Sequence, residues 1–116
     1  MPLLTVTCSQ PLDCSAAQII LERLSQGVAE ALGKPERYVA ASFSSATSLV
    51  FAGSAAPACI AELSNIGELT ASQTERMSRL LCTQLAEQLA VPADRIYVLF
   101  RIVEPQHWGH AGGTFA

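Results

Sequence analysis

The residue best placed to do chemistry is Pro2, directly behind Met1. A small residue such as proline in the second position permits removal of the methionine. The mature chain then begins with a free proline, whose amine is secondary, basic and held in a rigid ring. An α-amino group titrates near ~8 in short peptides. Burial or a neighbouring cation favours its neutral form and lowers that value. Such an amine can act as a general base close to neutral pH, where bases of this kind work best. Two side chains and a turn are candidates to assist it. Lys34 follows Gly33 at the expected end of a helix. A cation there would hold a substrate carboxylate and disfavour protonation of Pro2, although lysine in a turn is most often simply solvated. The hydroxyl of Tyr97 can donate a hydrogen bond to a carbonyl or enol oxygen. Asn65-Ile66-Gly67 reads as a turn whose backbone can line a pocket, and turns also use Asn and Gly for their dihedrals.

Composition limits what can surround these residues. A chain of 116 residues is expected to form a single domain, 1–116, with a modest core. Half of it is hydrophobic and only 15% is charged, against about a quarter in most globular proteins. So few charges leave apolar surface to be covered by other copies of the chain. Net charge is −3 with seven Lys plus Arg, which predicts no nucleic-acid partner. No apolar run reaches the ~18 residues of a membrane span, and the N-terminus lacks the pattern of a signal peptide. Cys8, Cys14, Cys59 and Cys82 have neither zinc-like nor CxxC spacing. They read as reduced thiols in a cytoplasmic protein, with leaderless secretion left open. His107 and His110 have no cysteines or carboxylates at ligand spacing, so neither a metal nor a cofactor is expected.

The elements that must position these residues form a faint internal repeat. Val28-Ala29-Glu30-Ala31-Leu32 before Pro35 matches Leu85-Ala86-Glu87-Gln88-Leu89 before Pro92. Arg37-Tyr38-Val39 returns as Arg95-Ile96-Tyr97-Val98, with one residue inserted. Leu3 to Thr7 reads as a strand. Asp13 or Ser15 can cap a helix running to about Leu32, with Ile20, Leu24, Val28 and Ala31 as its apolar stripe. Gly33 and Pro35 end it. Tyr38 to Phe43 is expected as the second strand and Pro57 to Leu63 as the third, with a short extended piece at Leu49 to Phe51 between them. Ser72-Gln73-Thr74-Glu75 reads as a capping box opening a second helix, whose stripe is Met77, Leu81, Leu85 and Leu89. Ile96 to Ile102 is a strand that turns Val98, Phe100 and Ile102 toward the helices and Tyr97, Leu99 and Arg101 away. A face holding a tyrosine and an arginine is not ordinary core, and it fits contact with another subunit. The tail from Gly109 to Ala116 reads as irregular.

In register, these motifs resemble the macrophage migration inhibitory factor family of the tautomerase superfamily. The resemblance covers essentially the whole chain. It is carried by Pro2, Gly33-Lys34-Pro35 with Tyr38, and Phe51-Ala52-Gly53-Ser54 with Pro57. Asn65-Ile66-Gly67, Leu80-Leu81-Cys82, Asp94-Arg95-Ile96-Tyr97 and Thr114-Phe115-Ala116 complete it. It implies an α+β fold: a doubled β-α-β protomer with a four-stranded sheet and two helices. It also implies a homotrimer with an active site at each subunit interface. Pro2 would be the catalytic base, beside Lys34 and the backbone around Ser64 and Ile66. Tyr97 would enter from the neighbouring subunit. The implied reaction is cofactor-free keto–enol tautomerisation of phenylpyruvate-like α-keto acids. Lys34 would bind the carboxylate and Phe115 would flank the aromatic ring. Two positions depart from the animal members. Leu99 stands where they carry an asparagine, which should alter ligand preference. Where they carry a CxxC pair this chain has Ala58-Cys59-Ile60-Ala61, one cysteine without a partner, so no dithiol reductase activity is expected. The alternative is a cytokine-like secreted interaction protein on the same trimeric fold. A trimer with a vestigial site is a third reading, and receptor binding does not follow from these motifs.

Overall fold

Strand β1, Pro2–Cys8, has every second side chain buried. Leu4, Val6 and Cys8 point toward the helices, as period-two alternation requires. The computed structural model describes residues 1–116. Its remaining main elements are α1 (Cys14–Leu32), β2 (Ala40–Ser44), β3 (Cys59–Ile66), α2 (Ala71–Leu89) and β4 (Ile96–Val103). The four strands form one sheet in the order β2-β1-β3-β4. β1 runs parallel to β2 and β3 parallel to β4, while β1 and β3 are antiparallel. Each half is therefore a β-α-β unit, and the halves join edge to edge. This is the doubled α+β protomer expected from the repeat.

The repeat reaches down to the loops. Gly33 and Ala90 end their helices in the left-handed conformation, at φ 63° and 54°. Each is followed two residues later by proline, Pro35 or Pro92, and then by one 3-10 turn. Between cap and proline the halves differ. The second half buries Val91 in the core, whereas the first places Lys34 there, half-buried. One helix face packs on the sheet in each half. Leu24, Val28, Leu81 and Leu85 are fully buried against Leu4 and Leu63. The stripe of α2 matches its pattern throughout. In α1 the fourth buried position is Ala29, and Ala31 is only half-buried.

Several boundaries differ from expectation. Asp13 caps α1 through its Oδ1, which accepts from the Ala16 amide at 2.8 Å. The capping box of α2 is not Ser72 to Glu75. Thr70 and Gln73 form it reciprocally, with bonds of 3.1 and 2.9 Å. Two overlapping stretches carry the right residue types, and the earlier one starts the helix. β2 begins at Ala40, because residues 36–38 continue the proline-initiated 3-10 turn. β3 begins and ends later than expected, and extends to Ile66. Ile102 is 57% exposed, so no helix covers that end of β4. The tail is ordered as a hairpin of β5 (Gly109–His110) and β6 (Gly113–Thr114). Ala111 and Gly112 turn it with φ values of 50° and 85°, the paired positive φ of a tight hairpin.

Cys59 is not isolated. Cys8 lies directly opposite it on β1, and both side chains are fully buried. Burial pushes the Cys59 thiol up from its ordinary value, and the hydrogen bond and charge of Cys8 add to that effect. A thiol held protonated is a poor nucleophile.

Arg95 organises the loop before β3. Its Nε donates to the Pro57 carbonyl at 2.9 Å and its Nη1 to Phe51 at 3.0 Å. Nη2 donates to Ser54 at 3.1 Å and to Ala56 at 2.9 Å. The guanidinium also lies 5.1 Å from the Phe51 ring centre, and Phe51 packs on Tyr97 at 4.5 Å. Hydrogen bonds to a charged group contribute about 1.5–3 kcal/mol each, and water would replace some of them. Arg95→Met is expected to destabilise the fold by about 2–4 kcal/mol, a fall in melting temperature of roughly 10 °C. A calorimetric shift below about 2 °C would mean that the loop holds itself.

Candidate functional site

Pro2 is buried at the start of β1, opposite Asn65 on β3. Asn65 occupies an inward position of β3, where Ala61 and Leu63 precede it. It is 2% exposed and is the buried polar residue of the core face. Its Oδ1 accepts from Lys34 Nζ at 2.9 Å, and its Nδ2 donates to the Gly67 carbonyl at 3.3 Å. Lys34 Nζ also donates to the Ile66 carbonyl at 3.4 Å. Both acceptors of Lys34 are neutral. The one ion pair in the chain joins Arg101 and Glu62 at 3.6 Å, so no carboxylate neutralises Lys34. An ammonium in this setting favours an anion beside it.

The end of the chain lies within reach of that charge. In the structure Met1 is attached, so the nitrogen of Pro2 is an amide and the free amine belongs to Met1. Burial first, and then the charge and hydrogen bond of Lys34, lower that amine from an ordinary 8.0 to about 6. Removal of Met1 would transfer the amine to Pro2, one residue further toward Asn65.

A cavity of about 310 Å³ opens beside Pro2. Tyr38, Trp108, His110, Phe115 and Arg37 are among its walls. The C-terminal hairpin brings Phe115 there. The Phe115 amide donates to the carbonyls of Pro105 and Trp108, each at 3.2 Å. Its ring stacks on His110 with centres 5.7 Å apart. The cavity thus joins the N-terminal residue to aromatic walls, with Lys34 approaching from the Asn65 side.

The expected site residues divide into two groups. Pro2 and Phe115 share the aromatic cavity, while Lys34 meets Asn65 and the carbonyl of Ile66 on the other side of Pro2. Ser64 faces the other side of the sheet, beside Leu3 and Arg101. Tyr97 and Leu99 also occupy that other face, 65% and 45% exposed. Tyr97 aligns through Ile60 with Thr7, five residues along β1 from Pro2. At about 3.4 Å per residue that is roughly 17 Å. One chain therefore does not bring Tyr97 to its own Pro2.

The side chain of Asn65, read only as part of a turn, and Trp108, His110 and Arg37 were not read as site residues from the sequence. Asn65 had a signal, since it continues the inward parity of Ala61 and Leu63. The hairpin had one too, in Ala111-Gly112-Gly113 between short extended pieces. Arg37 had none.

Lys34→Ala is expected to raise KM for carboxylate substrates roughly ten- to hundredfold. It should also move the pH at which the terminal amine becomes free upward, because a nearby cation is lost. Unchanged KM and an unchanged pH profile would show that Lys34 binds no substrate.

A proline directly behind Met1, beside a lysine without a counter-ion on a doubled β-α-β sheet, is set in a tautomerase-like fold. The family model described as macrophage migration inhibitory factor (MIF) matches residues 1–116, and the chain belongs to that family. The macrophage migration inhibitory factor of Xenopus tropicalis is 34% identical over 116 residues, covering 100% of both chains. A crystal structure of a homologue from Prochlorococcus marinus is 38% identical, with a TM-score of 0.93, covering 98% of this chain and 99% of that one. The macrophage migration inhibitory factor of Toxoplasma gondii is 29% identical, with a TM-score of 0.92, covering 97% of this chain and 99% of that one.

Proposed function

We propose that the chain is a cofactor-free keto–enol tautomerase acting on phenylpyruvate-like α-keto acids, with the processed Pro2 as general base. The family and its fold support isomerase-type activity in general. The observation that carries the finer reading is the Met1 amine, lowered to about 6 by burial and by Lys34 one residue from where the Pro2 amine would stand. Such an amine is largely unprotonated at neutral pH, and a lysine without a counter-ion stands ready for a carboxylate. In this reading Lys34 holds the carboxylate of the keto acid. Pro2 takes a proton from the carbon next to the keto group. The C–H electron pair becomes the new C=C bond and the carbonyl oxygen becomes an enolate. Pro2 then returns the proton to that oxygen, so the reaction is a net isomerisation. Phe115 and Trp108 flank the ring.

The exposed face of Tyr97 and Leu99 belongs, in this reading, against a second copy. A homotrimer would place Tyr97 of one copy at Pro2 of the next, as donor to the enolate oxygen. Leu99 would supply an apolar contact there. A cytokine-like interaction role would need no lowered amine, so the site favours the enzyme.

The test is an enolisation assay with phenylpyruvate on purified protein whose N-terminus has been verified by mass. Turnover that tracks removal of Met1 supports the assignment. Absence of turnover in fully processed protein would refute it.

A further inference from the structure

Lys34 is not the only cation beside Pro2. Arg37 lines the aromatic cavity itself, together with Pro2, Tyr38, Trp108 and Phe115. Its guanidinium is exposed and leans on the neighbouring Tyr38. Nη2 donates to the Tyr38 hydroxyl at 3.2 Å, and the guanidinium carbon lies 4.6 Å from the centre of the Tyr38 ring. No carboxylate pairs with it, since the chain's ion pair joins Arg101 and Glu62. No Asp or Glu lines this cavity. Glu36, its neighbour in sequence, borders two other depressions along α1. Lys34 is not a wall of the cavity and reaches Pro2 from the side of Asn65. Pro2 therefore has one uncompensated cation behind it and a second across an aromatic cleft, in a chain of net charge −3.

We infer that Arg37 is a specificity-determining residue that selects aryl α-keto acids carrying a second anionic group on the far side of the ring. The inference rests on the tautomerase reading of the same site. The keto acid's own carboxylate takes Lys34, and the ring lies between Trp108 and Phe115. An acidic ring substituent, such as a para-carboxylate, then reaches the free donor edge of Arg37. A guanidinium presents its donors in a planar fork that matches a carboxylate. Stacking on Tyr38 holds that fork in place and lowers the ordering cost of binding.

The experiment compares phenylpyruvate with its para-carboxylated analogue on wild type, Arg37→Gln and Arg37→Lys. For an exposed guanidinium, a strength between a surface ion pair and a buried charged hydrogen bond corresponds to about 5- to 20-fold. Wild type should prefer the dianion by about that factor in kcat/KM, through KM, and the preference should shrink as salt rises. Arg37→Gln should abolish the preference ratio and Arg37→Lys should restore part of it. Calorimetric binding of the same two acids separates this inference from the one beneath it. An Arg37-dependent binding preference without any turnover would refute the tautomerase and leave the second anion site standing. Equal kcat/KM and equal affinity for the two acids in wild type, or an equal loss on both in Arg37→Gln, would overturn the role of Arg37.

Discussion

Pro2→Gly is expected to lower kcat for phenylpyruvate enolisation by about 10²–10⁴-fold, the range that general acid–base catalysis supplies. Glycine also permits removal of Met1, so the variant keeps an amine but loses the secondary nitrogen and the ring that fixes its direction. KM should change little, because Lys34 remains to hold the carboxylate. Alkylation of the proline nitrogen should abolish activity altogether. The sign of the pH dependence is fixed by the same amine. It must be unprotonated to act, so kcat/KM should rise with pH through a titration lying below the ordinary 8.0, since burial and Lys34 already lower the Met1 amine of the unprocessed chain. In Lys34→Ala that limb should move toward the ordinary value of 8.0, because the neighbouring charge is gone. Wild-type turnover in Pro2→Gly with a processed terminus would remove Pro2 from the mechanism. Steady-state kinetics with the N-terminus confirmed by mass spectrometry decides it.

The fold was legible where local chemistry repeats. Two helix ends carry the same stop, a left-handed cap and then a proline, and both are followed by a strand. Periodicity placed Met77, Leu81, Leu85 and Leu89 on one buried face because a helix of that length repeats its stripe several times. Signals of two or four residues were harder to read. Thr70 with Gln73 and Ser72 with Glu75 both fit a capping box by residue type, and the chain forms the first. Asn65 is the clearest case at the site. It reads locally as part of a turn with Ile66 and Gly67, but β3 continues its alternation through Ile66, and parity turns the Asn65 side chain inward. Arg37 had no sequence signal at all, since nothing local says that a C-terminal hairpin will fold back beside it. The pairing of Cys8 with Cys59 has the same origin, in a register set by contacts far apart in the chain.

The separation of Tyr97 from Pro2 leads to the second large effect. Pro2 lies at one end of the sheet on the helix side, and Tyr97 lies about 17 Å along on the opposite side. Tyr97, Leu99 and Ile102 are large side chains left exposed on one strand. Leaving them in water costs about 25 cal/mol for each Å² that a partner would cover. Arg101 shares the face of Tyr97 and Leu99 and is paired with Glu62 at 3.6 Å. If a trimer turns this face toward its axis, three copies of Arg101 approach one another, and the Glu62 partner of each offsets part of their repulsion. The expected result is a stable trimer whose dissociation removes nearly all turnover, because base and hydroxyl come from different chains. Trimers of Pro2→Gly and trimers of Tyr97→Phe, each impaired alone, should regain activity when dissociated and reassembled together. Mixed trimers contain some interfaces with an intact Pro2 facing an intact Tyr97. Sedimentation at assay concentration establishes the oligomer, and turnover of the verified mixture reads the complementation. An active monomer, or no recovery in the mixed trimers, would confine the chemistry to a single chain.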